Sequence, residues 1–315
     1  MHFKKNSSAI SSYPQFLLFV FLLNFFSINS ASSQTVDTLM DVGNHKIHFH
    51  ILKGQGIPIL FEAGAERDAS VWGETFLQQV ASMTNATVIA YDRAGMGKST
   101  LNPDTAFSKQ GIISNVEDLE AGLKKLGYDQ EIMLVSHSYG GYLSTLYSYR
   151  HPELVKSIVL IDVNMDLYAQ DKYLQESIKE EAKFMAGYKK NNPGFYYLHA
   201  TFPETAKLME KYTIPVTIPV VDIVRELPAF YTKSKFEDYK AVHQQFVRGH
   251  RKCTSIVAYG CNHGIWADNP PLVKSIISKA YAETLPETEK SKLYARTLNY
   301  TINSVNESKM VKKKK

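Results

Sequence analysis

The chain carries little thiol chemistry, with two cysteines, Cys253 and Cys261, in 315 residues. So low a count excludes a disulfide-rich scaffold. The intervening TSIVAYG reads as a strand. Eight extended steps cover roughly 25 Å, whereas a disulfide needs Cα atoms within about 7 Å. Both are expected as free thiols. Neither has a His or Asn partner in a thiol-protease arrangement.

Long apolar runs are also missing. The most extended, Phe16 to Phe26, has about eleven residues, and a membrane-spanning helix needs about twenty. No 20–50-residue period repeats, which excludes solenoids and propellers. No cluster of His, Cys and carboxylates has metal-ligand spacing, so neither a metal nor a cofactor is called for. A dominant charge is lacking too. The formal net charge of +5 comes from the ends: residues 286–315 hold eight Lys/Arg against three Glu, while 34–285 hold 26 basic and 28 acidic residues. This balance argues against a nucleic-acid partner.

What is present begins with an export signal. Lys4 and Lys5 precede the apolar run, and the small residues Ser27 to Ser33 offer cleavage after Ala31 or Ser33. Residues 1–33 are therefore expected to be a signal peptide, with an uncleaved anchor as the alternative. The expected location is secreted, periplasmic or in the envelope, with no stable membrane span after cleavage. Beyond residue 33, three Asn-x-Ser/Thr sequons, at Asn85, Asn299 and Asn306, matter only in a eukaryote.

From 34 to 162, buried-strand runs (IPILFE, ATVIAY, IMLVS, VKSIVLID) alternate with helical patterns. One helix is expected near 70–83. Another is expected over 110–126, with Ser114 and Glu117 as a capping box and Gly127 as its end. Such alternation predicts a doubly wound, mostly parallel sheet. Residues 163–213 are polar, aromatic and helical, and read as a cap inserted into one α/β domain over 34–285. Its Tyr168, Phe184, Met185, Tyr188, Phe195, Tyr196 and Tyr197 could line a pocket or simply bury the cap on the sheet. Strands resume at Ile214–Asp222 and Thr254–Gly260, and a last helix is capped by Asn269 before Pro270 and Pro271. Residues 286–315 read as a disordered basic tail.

The chemistry-bearing signal is Ser136-His137-Ser138-Tyr139-Gly140-Gly141, placed between the strand IMLVS and the helix GYLSTLYSYR. This is the strand–turn–helix setting of a nucleophile elbow. The tight turn requires small residues two before and two after the nucleophile; Gly140 and Ser136 are small. Ser138 needs a base. His263, in the loop after the last strand, is placed to reach it. The amides of Ala65, beside Gly64 at the end of an early strand, and of Tyr139 are candidates for holding an oxyanion.

These segments resemble the α/β-hydrolase fold superfamily over about residues 37–284. Four segments carry the likeness: FEAG with Trp72 downstream, YDRAGMGKS over 91–99, the SHSYGG elbow, and Asn262-His263-Gly264 followed by Ala267-Asp268-Asn269-Pro270. The resemblance implies an eight-stranded-type sheet and a serine hydrolase of esterase or lipase type acting through an acyl-enzyme on a small acyl substrate. It implies a triad acid after one of two strands: Asp162, or alternatively Asp222, with Asp166 and Glu226 behind them. Amidase, peptidase, lactonase or C–C hydrolase chemistry on the same fold stays open. So does a non-catalytic binding protein that keeps the scaffold. An aminopeptidase would need acids in the cap; Glu176, Glu180 and Glu181 read as a solvated helix face.

Overall fold

Short apolar runs become strands where their length and flanking turns demand it. β1 (Thr35–Asp41) and β2 (Lys46–Leu52) pair as an antiparallel hairpin, and β2 then pairs antiparallel with β4 (Val88–Asp92). β3 (Ile59–Glu62), β5 (Ile132–His137), β6 (Val155–Ile161), β7 (Val220–Arg225) and β8 (Cys253–Ala258) run parallel to β4 and to each other. The eight strands lie in the order β1-β2-β4-β3-β5-β6-β7-β8. The computed structural model describes residues 34–163 and 171–298. Asp166, Tyr168, Asn299, Asn306 and the expected signal peptide lie outside them.

Side chains alternate across the strands, so each strand feeds two cores. Leu60, Ile89, Leu134 and Ile158 enter one core with α2 (Ile112–Leu126), α3 (Gly140–Arg150) and α8 (Lys233–Gly249). Ile59, Val88, Met133 and Val159 enter the other with α1 (Glu74–Thr84) and α10 (Pro270–Ala282). A single turn, α9 (Ile265–Asp268), leads into α10. Between β6 and β7 stand α4 (Asp171–Ala182), α5 (Met185–Asn191), α6 (Pro193–Ala200) and α7 (Phe202–Met209). Phe195 and Met209 join the first core, and the amide of Gly194 donates to Gly95 O at 3.1 Å, which docks α6 on the 91–99 loop.

Several local expectations are corrected. The helix expected near 70–83 is broken at Gly73, whose φ of +72° only glycine adopts readily; Asp68 caps a short 3-10 turn before it. No Ser114 capping box forms. Gly111 caps α2, and the Ser114 hydroxyl turns back to donate to Gly111 O at 2.9 Å. The strand expected from Ile214 starts only at Val220, since Pro215 and Pro219 bring no N–H to a ladder; Ile214 and Ile218 are buried all the same. The tail expected from 286 is helical over 287–298, because Leu293 is buried in the second core. Asn269 does cap α10, accepting from the Leu272 amide at 3.2 Å. Both cysteines are free, Cys261 buried and Cys253 half-buried.

Candidate active site

The chain passes from β5 to α3 through only Ser138 and Tyr139. Ser138 is held at φ +52°, in the left-handed region, at a cost of order 1–3 kcal/mol for a non-glycine residue. The packing around the turn over-determines that angle. A Cβ on Gly140 would stand 2.7 Å from the carbonyl oxygen of Glu62 and 2.9 Å from that of Ala63, so the elbow rests directly on β3. Ser136 is fully buried and its hydroxyl pairs with that of Ser144 on α3, so a serine is accommodated where the turn asks for a small residue. Ser138 itself is nearly buried and opens onto a cavity of about 50 Å³.

His263 lies in the loop between β8 and α9. Its backbone carbonyl accepts from His137 Nε2 at 3.0 Å, and the two rings lie 4.5 Å apart. The base candidate is thereby tied to the residue preceding Ser138. Its Nδ1 meets Asp162 Oδ2 at 2.5 Å. Asp162 follows β6 at φ +51° and is wholly buried. Burial pushes its carboxyl up, but the bond from His263 and the charge of Arg225 outweigh this and bring it down to about 2. An ionised carboxylate only accepts. The proton of this bond therefore sits on His263 Nδ1.

Asp222 faces elsewhere. Its carboxylate pairs with His243 Nδ1 on α8 at 2.8 Å, and His243 Nε2 donates to Val163 O at 3.0 Å. Glu226 is exposed and accepts from the Gly260 amide. His137 is buried; burial first, then the neighbouring His263 charge, holds it down at about 3. It serves the loop of His263 as a neutral donor.

Sequence reasoning passed over three buried charges. Arg225, at the end of β7, donates from Nη1 to Asp162 Oδ2 and from its amide to Oδ1, and the Tyr239 hydroxyl of α8 also donates to Oδ1. Its guanidinium lies 4.3 Å from the Tyr239 ring centre and 4.4 Å from that of Tyr231. Arg93 spans the loop after β3. It donates to the carbonyls of Ala63 (2.8 Å), Gly64 (2.5 Å), Ala65 (3.0 Å) and Arg67 (3.2 Å). Across a trans peptide the N–H opposes the C=O, so fixing Gly64 O on Arg93 turns the Ala65 amide away from it. Gly64 in turn touches the elbow, where a Cβ would stand 3.4 Å from Ser138 Cβ. Tyr139 occupies the cap position of α3, where amides have no partner within the helix. Glu62 is the third. Burial raises its carboxyl to about 7 against the pull of the Arg93 charge and the 2.6 Å bond from Tyr91. The available signal was a charged residue ending an apolar strand run, in ILFE and VVDIVR.

The sequence model of the alpha/beta hydrolase fold family matches residues 58–212. The chain belongs to the α/β-hydrolase superfamily. Among curated relatives of this α/β-hydrolase, a cis-3-alkyl-4-alkyloxetan-2-one decarboxylase of Shewanella oneidensis is 29% identical over 40% of this chain and 41% of its own. A proline iminopeptidase of Lactobacillus delbrueckii subsp. lactis is 30% identical over 45% and 49%. The matched segment thus spans about half the length of these relatives or less. Among solved structures, the Vigna radiata epoxide hydrolase superposes with TM-score 0.61 at 17% identity, over 77% of this chain and 96% of that one. The Mycobacterium smegmatis proline iminopeptidase superposes with TM-score 0.52 at 16% identity, over 84% and 99%. The likeness to both is one of fold, which in this chain is built on an eight-stranded sheet.

No helix among the described residues is long and apolar enough to cross a membrane, and no group of three or more His, Cys, Asp and Glu among them could hold a metal ion. Of the cap aromatics, Phe195 and Tyr197 are buried and Phe184 is exposed. The cavity at Ser138 is walled instead by side chains such as Met209, Tyr212 and Ile214.

Proposed function

We propose that the protein is a serine hydrolase cleaving a carboxylic ester or a related acyl substrate. The observation that carries this reading is the 2.5 Å contact of His263 Nδ1 with Asp162, in a loop whose His263 carbonyl is held by His137, the residue before the strained Ser138. In the proposed mechanism His263 Nε2 takes the Ser138 proton as Oγ bonds to the acyl carbon. The amides of Ala65 and Tyr139 hold the oxyanion. The bond to the alcohol breaks as His263 returns the proton to it, and water then releases the acid by the same steps reversed. Asp162 fixes the His263 tautomer and stabilises its cation.

Peptide hydrolysis is the second reading, favoured by the likeness to proline iminopeptidases. Glu176 is a poor amine anchor for it, being paired with Lys235 of α8 at 3.1 Å. We also propose export through the N-terminal segment, which the N-terminal residue of protein recovered from producing cells would test.

The decisive assay is fluorophosphonate labelling of wild type, Ser138→Ala and His263→Ala. Wild type alone is expected to label, and to hydrolyse esters faster than aminoacyl amides. Full esterase activity in Ser138→Ala would overturn the reading.

A further inference from the structure

We infer that the acyl group of the substrate is short, about three or four carbons, and that it is measured by the cavity behind Ser138. This inference rests on the acyl-enzyme proposed above. The cavity runs under Ser138 between the first turn of α3 and the ends of β6 and α7. Its walls are mostly apolar, through Leu160, Val163, Met209, Ile214 and Phe246, with the hydroxyls of Tyr142, Thr145, Tyr212 and Thr213 among them.

Two features assign it to the acyl side. The leaving alcohol must receive its proton from His263, so it lies on that flank of Ser138. The cavity is lined by Ser138 but not by His263, Asp162 or Trp266. Neither Ala65 nor Gly64, on the oxyanion flank, lines it. What remains to a tetrahedral carbon on Ser138 is its acyl substituent.

Size then sets the chain length. An apolar cavity of about 150 Å³ takes a six-carbon benzene ring. The cavity here is about 50 Å³, room for two or three carbons beyond the carbonyl carbon. Leu160, Val163, Met209 and Ile214 line it as buried side chains, while exposed Thr213 marks the side on which it meets solvent. Gly141 adds no space, since a Cβ there would already stand 2.7 Å from Val163. Each methylene that fits contributes about a fourfold gain in kcat/KM, the equivalent of one buried CH₂. A methylene beyond the wall gains nothing and displaces side chains.

The test is a series of p-nitrophenyl esters from acetyl to dodecanoyl, run on wild type, Met209→Ala and Thr145→Leu. Thr145 lines the same cavity from α3 and is half-buried, so leucine there narrows it without opening the core. Fluorophosphonate labelling of Ser138 is measured on the same samples. Wild type is expected to peak at propionyl or butyryl and to fall at least about tenfold by octanoyl. Met209→Ala should move the peak to longer chains, and Thr145→Leu should move it to acetyl. Labelled wild type that prefers octanoyl, or folded variants whose profiles coincide with wild type, would overturn the cavity assignment while leaving the hydrolase reading intact. Absence of labelling in folded wild type would overturn both.

Discussion

Replacing Glu62 by glutamine should change the pH dependence of stability in one defined window. Glu62 is buried at the end of β3, under the loop that Arg93 holds and against the elbow. Its carboxyl is raised from 4.5 to about 7. Between these values the folded chain holds a proton that the unfolded chain has lost, so stability falls as pH rises. The stabilisation is complete below about 4.5 and gone by about 7. A shift of roughly 2.5 units at about 1.4 kcal/mol each amounts to about 3 kcal/mol. His137 acts in the opposite sense, since its folded value of about 3 lies below the ordinary 6.5. Its contribution grows as pH rises from about 3 to 6.5. In wild type the two slopes oppose each other over roughly pH 4.5–6.5 and flatten the curve. Glutamine keeps the shape and the bond from Tyr91 but cannot ionise. Urea unfolding at pH values from 4.5 to 8, followed by tryptophan fluorescence, should give a variant gaining about 3 kcal/mol on wild type across the window. Parallel curves would refute the reasoning, because they would mean that Glu62 titrates alike in both states.

Asp162→Asn should lose about four orders of magnitude in kcat and about 3–5 kcal/mol of stability, because it strands the buried Arg225 charge; ester kinetics and urea midpoints check both. Asp222→Asn should keep its kcat within a few-fold and lose stability only, through the weakened His243 pair; a kcat loss matching that of Asp162→Asn would reassign the acid. Arg93→Lys should lower kcat at least about tenfold with KM little changed, because the Ala65 amide is then less firmly aimed at the oxyanion. A parallel loss of affinity for a boronic-acid inhibitor would show that the loss is in holding the tetrahedral state.

The elbow was legible because its chemistry is local: a strand, a tight turn and a helix leave small residues at 136 and 140 whatever the rest of the chain does. That the loop of His263 reaches the elbow strand was legible from strand order. Which carboxylate meets His263 was not, because Asp162 and Asp222 both close an apolar run in the sequence, although β7 runs on past Asp222 to Arg225. Which one faces His263 depends on how β7 pairs with β6. Leu160 stands opposite Asp222 and Ile161 opposite Ile223, and Asp222 turns to His243 on α8. Arg225 and Arg93 escaped notice for a related reason. A buried guanidinium is defined by its partners, and those of Arg93 are backbone carbonyls with no identity in the sequence. The Ser114 box failed because helix α2 starts one turn earlier in tertiary context than its side chains suggest.

With His263 bonded to Asp162, which precedes α4 to α7, the proposed nucleophile, oxyanion loop and acid all come from one continuous stretch ending just after β6. Only the histidine arrives from beyond the four helices, and Arg225 is the stitch that joins the acid to the strand on the far side. Of those helices α7 lines the cavity at Ser138 through Met209, and none of the four supplies an atom proposed to move protons or hold charge. They behave as an interchangeable cassette. Swapping the segment between β6 and β7 should rewrite what the site admits while the reacting groups stay registered on the sheet.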